Sequence, residues 1–153
     1  MNRSCRTERG RQTIRYVAMA GFRVLIVEDE VLTALDLQQA LDEAGCEVCG
    51  VAASEAVALS IAKLTRPEFA VVDIHLASGD GRAVAKELTD RYGTAVLFAT
   101  AHCDDLEDLA RSGALGCITK PYDTADVPIA LTAIDEIRRG RLPGLLPDQM
   151  KAL

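Results

Sequence analysis

The sequence predicts a doubly wound α/β fold, a parallel sheet covered by helices on both faces. Two observations predict it. Short apolar runs alternate strictly with amphipathic segments from Phe22 onward, and the connections between them are short. Four of the apolar runs also stop at a residue with chemistry to offer: FRVLIV at Glu28, Asp29 and Glu30, FAVV at Asp73, AVLFAT at Thr100, and GCIT at Lys120. Apolar runs of this length bounded by polar residues read as strands buried on both faces.

The elements follow in order. After the first strand, Ala34, Leu37, Leu41 and Ala44 recur at steps of three and four with acids and amides between them, which predicts a helix closed by Gly45. Residues 47–52 form a second strand. Ser54 is placed to cap a helix carrying Val57, Ile61 and Leu64, which must end before Pro67. The strand ending at Asp73 leads through the loop HLASGDG into a helix over about 82–92. The AVLFAT strand precedes a helix over about 104–112, and GCIT precedes a last helix over about 124–139. The expectation is five strands and five helices.

At 153 residues the chain suits one domain, and 49% hydrophobic content supplies a core. A net charge of −6 argues against non-specific nucleic-acid binding. No apolar stretch approaches the ~20 residues of a membrane span. Five cysteines, an odd number and without a secretory signal, point to a reducing cytoplasm. Residues 1–19 differ from the remainder: up to residue 18 they hold five arginines against one glutamate, a local +4 that leaves −10 elsewhere. They are expected to be a disordered basic extension, with Met19 a natural start. Residues 20–140 are expected to form the domain, and residues 141–153, with two prolines and two glycines in the last stretch after Arg139, a flexible tail.

In an open parallel sheet the crevice lies at the carboxyl ends of the strands, near the topological switch point. The fold would therefore gather Asp29, Asp73, Thr100 and Lys120 at one mouth. Crowded carboxylates need a cation, and oxygen-only donors with free positions suit Mg²⁺ together with a phosphate. A carboxylate there can act as a nucleophile toward phosphorus. Lys120 and the Thr100 hydroxyl could then each hold a phosphoryl oxygen.

Taken together, VEDE, VVDIHLASGDG, FATA and TKPY resemble the receiver domains of two-component response regulators, over about Phe22 to Arg139. The resemblance implies a flavodoxin-like (βα)5 sheet of order 2-1-3-4-5, and Asp73 as acceptor of a phosphoryl group from a histidine kinase or a histidine phosphotransferase. It implies Mg²⁺ held by Asp29, Asp73 and the backbone carbonyl of His75, with Glu28 acting through water. It implies Thr100 and Lys120 as the other active residues, and no enzymatic activity beyond the chemistry of the aspartyl phosphate itself. The output would be phosphorylation-dependent binding of a downstream effector protein by a stand-alone receiver, through the helix from Asp104, the GCIT strand and the last helix.

Two positions depart from the family pattern. The usual aromatic three residues before the lysine is Cys117, and the usual proline four residues after the phosphoacceptor is Ala77. FATAH resembles a subgroup of alphaproteobacterial single-domain receivers with a "FAT" motif, many of which pair with HWE-type kinases. Ala101 matches that subgroup's small residue, and His102 stands in place of its aromatic. The switch set expected on this basis is Thr100, Ala101, His102 and Cys117, with His102 coupling Thr100 to the following helix. The alternative reading is an interaction module that keeps the fold but no longer signals by phosphate.

Other motifs carry less. Cys46 and Cys49 form a CxxC without a second pair, and their spacing in an extended segment sends the side chains to opposite faces. Cys103 and Cys117 read as small apolar fillers. Neither G-x-x-x-x-G-K nor G-x-G-x-x-G occurs, which removes the common nucleotide-binding enzymes. No second acid follows two residues after Asp73, which disfavours a haloacid-dehalogenase-type phosphatase.

Overall fold

Residues alternate between two cores along every central strand, and that alternation explains why helices cover both faces of the sheet. The computed structural model describes residues 21–153, so the basic extension and Met19 lie outside the described residues. The elements are β1 (Arg23–Val27), α1 (Val31–Glu43), β2 (Glu47–Ala52), α2 (Glu55–Thr65), β3 (Phe69–Val72), α3 (Gly81–Tyr92), β4 (Ala95–Thr100), α4 (Leu106–Arg111), β5 (Gly116–Thr119), α5 (Asp126–Arg138) and β6 (Met150–Ala152). The sheet order is β2-β1-β3-β4-β5-β6. All pairings are parallel except β5 with β6.

On one face Val24, Ile26, Phe69, Val71, Leu97 and Ile118 meet α1 and α5 through Leu37, Leu41, Leu131 and Ile134. On the other, Leu25, Val27, Val72, Val96 and Phe98 meet α2, α3 and α4 through Ala58, Ala62, Val84, Leu88 and Leu109. A period of two on each strand feeding a period of 3.6 on each helix is what this double layer requires. The order reverses between β1 and β3, and the crevice opens there at the strand carboxyl ends.

The punctuation read from the sequence operates as expected. The Ser54 hydroxyl accepts from the Val57 N–H at 3.3 Å at the start of α2. Gly45 follows the last turn of α1 at φ +86°, and the N–H groups of Gly45 and Cys46 close back on the carbonyls of Asp42 and Leu41. This double closure is a Schellman ending, and the left-handed conformation it needs is cheap only for glycine. The helices expected over 104–112 and 124–139 are shorter, at Leu106–Arg111 and Asp126–Arg138.

Two expectations are corrected. The tail read as flexible instead supplies a sixth strand. β6 pairs antiparallel along β5, and Met150 is buried, its methyl packed where a side chain at Gly116 would lie. Cys103 and Cys117, read as separate apolar fillers, form a disulfide between the loop after β4 and β5, with Cα atoms 6.0 Å apart. The four described cysteines are thus one bonded pair and two free thiols, Cys46 and Cys49, so the odd total was no guide to pairing. No helix among the described residues is long and apolar enough to cross a membrane.

Because Met150 fills a gap in the core, Met150→Ala should destabilise the domain by about 2–3 kcal/mol, within the range for large-to-small core substitutions. Chemical denaturation checks this; a variant as stable as the parent would place the last strand outside the cooperative unit.

Candidate functional site

Main-chain pairing continues one residue past β1, β3 and β5, and this delivers Glu28, Asp73 and Lys120 to the crevice beside Thr100 at the end of β4. The Asp73 N–H donates to the Val27 carbonyl at 2.9 Å, the Glu28 N–H to Ala52 at 2.9 Å, and the Lys120 N–H to Thr100 at 2.8 Å. Val27 lies in register with Val72, so Glu28 and Asp73 emerge side by side. Carboxylate oxygens of Glu28, Asp29 and Asp73 come within 4.8 Å of one another.

Lys120 neutralises two of these acids. Its Nζ donates to Glu28 Oε2 at 2.9 Å and to Asp73 Oδ2 at 3.0 Å. Glu28 and Asp73 are buried and Lys120 is 24% exposed at its side chain. Burial pushes the Glu28 carboxyl above its ordinary value, a shift that its bonds from Lys120 and the Glu30 N–H only partly oppose. Burial works to lower the Lys120 ammonium, but the two carboxylates outweigh it and hold it above its ordinary value. The cation therefore stays charged at neutral pH. Nearby, burial drives the Tyr122 phenol up to about 12, and its hydroxyl has no hydrogen-bond partner among the described residues.

Thr100 ends β4 fully buried, and its hydroxyl also lacks a partner among the described residues. Unsatisfied buried hydroxyls are uncommon because each forfeits its hydration. At the mouth of an acid-and-lysine cluster, such a donor suits an incoming oxygen-rich group.

The loop after β3 is held against the crevice by several bonds. The His75 N–H donates to Asp73 Oδ1 at 3.1 Å, while the His75 side chain is exposed. The Ala77 N–H donates to Asp29 Oδ2 at 2.6 Å. A proline at position 77 could not make this bond, so the departure at Ala77 gives Asp29 a partner the usual residue would withhold. Asp80 caps α3 through the Arg82 N–H. Gly81 passes so close to the end of β3 that a Cβ there would lie 2.1 Å from the Asp73 carbonyl oxygen.

Of the residues read from the sequence, Glu28, Asp29, Asp73, Thr100 and Lys120 converge at the strand ends. Ala101 and His102 lie exposed in the loop after β4. The His102 ring is 3.9 Å from the Asp104 carboxylate, itself exposed. Cys117 sits buried in β5, bonded to Cys103. Cys46 and Cys49 pack in opposite layers, as their spacing implies. Burial, with the Asp42 charge adding to it, pushes the Cys46 thiol up to about 11, which leaves it a poor nucleophile. The Ala77–Asp29 bond had no sequence signal beyond the missing proline.

Residues 24–132 match the response regulator receiver domain. The chain belongs to that family. It is similar to the transcriptional regulatory protein PdtaR of Mycobacterium tuberculosis, 33% identical over 119 residues that make up 76% of this chain and 58% of that protein. It is also similar to the phyllosphere-induced regulator PhyR of Methylorubrum extorquens, 32% identical over 111 residues, 71% of this chain and 42% of PhyR. The chain thus spans about half the length of these relatives. Among solved structures, the signal receiver domain of a modulated diguanylate cyclase from Desulfovibrio desulfuricans superposes with TM-score 0.66 at 31% identity, covering 78% of this chain and 98% of that one. The receiver domain of Erythrobacter litoralis PhyR superposes with TM-score 0.67 at 26% identity, covering 76% and 92%. The sheet and its acid cluster are those of a receiver of two-component signalling, a fold that acts by binding partners such as kinases, phosphotransferases and effectors.

Receivers typically bind Mg²⁺ at such an acidic cluster, and an all-oxygen donor set that Lys120 only partly neutralises fits that ion here. Gly81→Ala should weaken the site from behind. The Cβ forces the Asp73 backbone to move, at a cost of about 1–3 kcal/mol for overpacking, and Mg²⁺ affinity should fall with it. Calorimetric Mg²⁺ titration beside a denaturation curve measures both; unchanged affinity and stability would show that the loop yields instead.

Proposed function

We propose that Asp73 accepts a phosphoryl group from a histidine kinase or histidine phosphotransferase, and that the phosphorylated domain signals by binding a downstream effector. The observation that carries this reading is Lys120 Nζ 3.0 Å from Asp73 within a three-carboxylate cluster. An Asp73 carboxylate oxygen attacks phosphorus, the P–N bond to the donor imidazole breaks, and the imidazole nitrogen leaves with the electron pair and takes up a proton. Lys120 transfers one of its hydrogen bonds from carboxylate to a phosphoryl oxygen. The unpaired Thr100 hydroxyl donates to another. Asp29, Asp73 and the His75 carbonyl would hold Mg²⁺, with Glu28 acting through water. When bound, the ion offsets the negative charge that the phosphoryl oxygens add to the acids.

The dianion's new contacts to Thr100 and Lys120 would then bias the region following each: the loop into α4, and the segment from Lys120 into α5. The output surface is α4, β5 and α5, with β6 now part of its edge. The resemblance to the subgroup of "FAT" receivers makes an HWE-type kinase the donor to try first. The departures at Cys117 and Ala77 favour the second reading, an interaction module independent of phosphate.

Intact mass after incubation with Mg²⁺ and a small phosphodonor should rise by one phosphoryl group, and Asp73→Asn should abolish the gain. Absence of the gain together with absence of Mg²⁺ binding would leave the interaction module as the better account.

A further inference from the structure

The Cys103–Cys117 disulfide ties the loop that follows Thr100 to the β5 strand that leads to Lys120. Cys103 lies three residues after Thr100, in the loop that leads into α4. Cys117 lies in β5, in register with Phe98 of β4 on one side and with Lys151 of β6 on the other. The loop is otherwise weakly held. Its residues 101, 102, 104 and 105 are exposed, and Asp105 sits at φ +23°, a strained conformation for a residue other than glycine. The six-residue α4 buries only Leu109. Among the described residues, the other polar side-chain ties to the rest of the domain are an exposed ion pair, Arg82 to Asp108 at 3.0 Å, and a bond from Lys151 Nζ to the Cys103 carbonyl at 3.3 Å. Exposed pairs of this kind contribute little. The covalent bond is therefore the strongest constraint on this loop.

We infer that Cys103 and Cys117 form a site of reversible thiol–disulfide modification that gates the response of the β4–α4 loop to the phosphoryl group. This rests on the phosphoacceptor reading for its consequence. In the disulfide form the loop is clamped to β5 in its resting arrangement, so any loaded state that displaces the loop costs more. Reduction releases it.

The exchange is with thiols of the glutathione or small-dithiol class. A thiolate attacks Cys103 Sγ, forming a mixed disulfide and expelling Cys117 as its thiolate. A second thiol then resolves the mixed disulfide, leaving two protein thiols and one oxidised reagent disulfide. Two electrons and two protons pass to the protein, and the reverse reaction returns them. Both sulfur-bearing residues are buried, Cys103 at 2% exposure and Cys117 at 0%, so the reagent reaches them only when the loop opens. Opening of the loop and reactivity of the bond are thereby one event. Thermodynamic linkage then requires the effect to run both ways: loading the pocket must favour reduction by the same factor that reduction favours loading.

The test uses the full chain in its disulfide and reduced forms, assigned by intact mass after alkylation under denaturing conditions: the reduced form carries two more alkylated cysteines, Cys103 and Cys117. Beryllofluoride with Mg²⁺ is titrated into each by calorimetry. Binding should be about tenfold weaker in the disulfide form, within the range of coupled sites. Saturating beryllofluoride should shift the dithiol–disulfide equilibrium in a glutathione buffer by the same factor, about 30 mV. Cys103→Ser should bind like the reduced form in either buffer. Failure of the disulfide to form, or equal affinities in the two forms, would overturn the inference and leave the phosphoacceptor reading standing. Absence of binding in both forms, with the disulfide present, would overturn the phosphoacceptor reading and the gate with it.

Discussion

Lys120 is the cation on which the pocket depends. It bridges Glu28 and Asp73, two carboxylates that the sheet holds out of water and within reach of each other. Without it the crevice would hold adjacent negative charges, each disfavouring the other, with burial compounding the cost. The strand register that places the acids side by side is tolerable only because β5 delivers an ammonium to the same point. The rest of the architecture serves that meeting: two apolar layers fix the strands, and Gly81 allows the loop to pass directly behind Asp73.

The same bridge explains how a resting receiver could be stable and yet poised. An ammonium shared between two carboxylates can give up one of them to a phosphoryl oxygen without leaving the crevice. Thr100, buried with its hydroxyl unpaired, carries a deficit that such an oxygen would relieve. Asp29 is more exposed and held by a single backbone N–H from Ala77, so it is the acid freest to turn toward a metal ion. Neutralised acids, a buried hydroxyl with no partner among the described residues and a third, more exposed carboxylate form a site with room to gain contacts.

Much of this was legible in the chain because its physical causes are local. Apolar runs that stop at Asp73, Thr100 and Lys120 state both the strand and the candidate site residue, and parallel topology brings their ends together. Ser54 and Gly45 mark helix boundaries through local hydrogen bonding and φ preference. What was not legible depends on tertiary proximity. β6 is three residues long and follows a proline-rich stretch, so only the open edge of β5 makes it a strand. The Cys103–Cys117 pairing depends on where the β4–α4 loop folds back, which no spacing records. The Ala77–Asp29 bond joins residues 48 positions apart and uses a backbone group, invisible to side-chain motifs. The helix starts expected near Asp104 and Thr124 lie two residues later, because the Asp105 carboxylate caps α4 through the Asp108 N–H and a turn at residues 124–125 precedes α5.

The most direct test of the central role given to Lys120 is the thermal stability of Lys120→Met, with and without Mg²⁺, across pH 5–8. Removing the cation should cost on the order of 2–3 kcal/mol at pH 7, less than for a fully buried pair because Lys120 is partly exposed. The Glu28 carboxyl, already raised by burial, should be raised further, so stability is gained as pH falls and lost as it rises through the folded-state value. The deficit against the parent should therefore shrink toward pH 5, and Mg²⁺ should restore part of it at pH 7. A variant as stable as the parent at pH 7 without Mg²⁺, with no pH dependence of its own, would contradict the account.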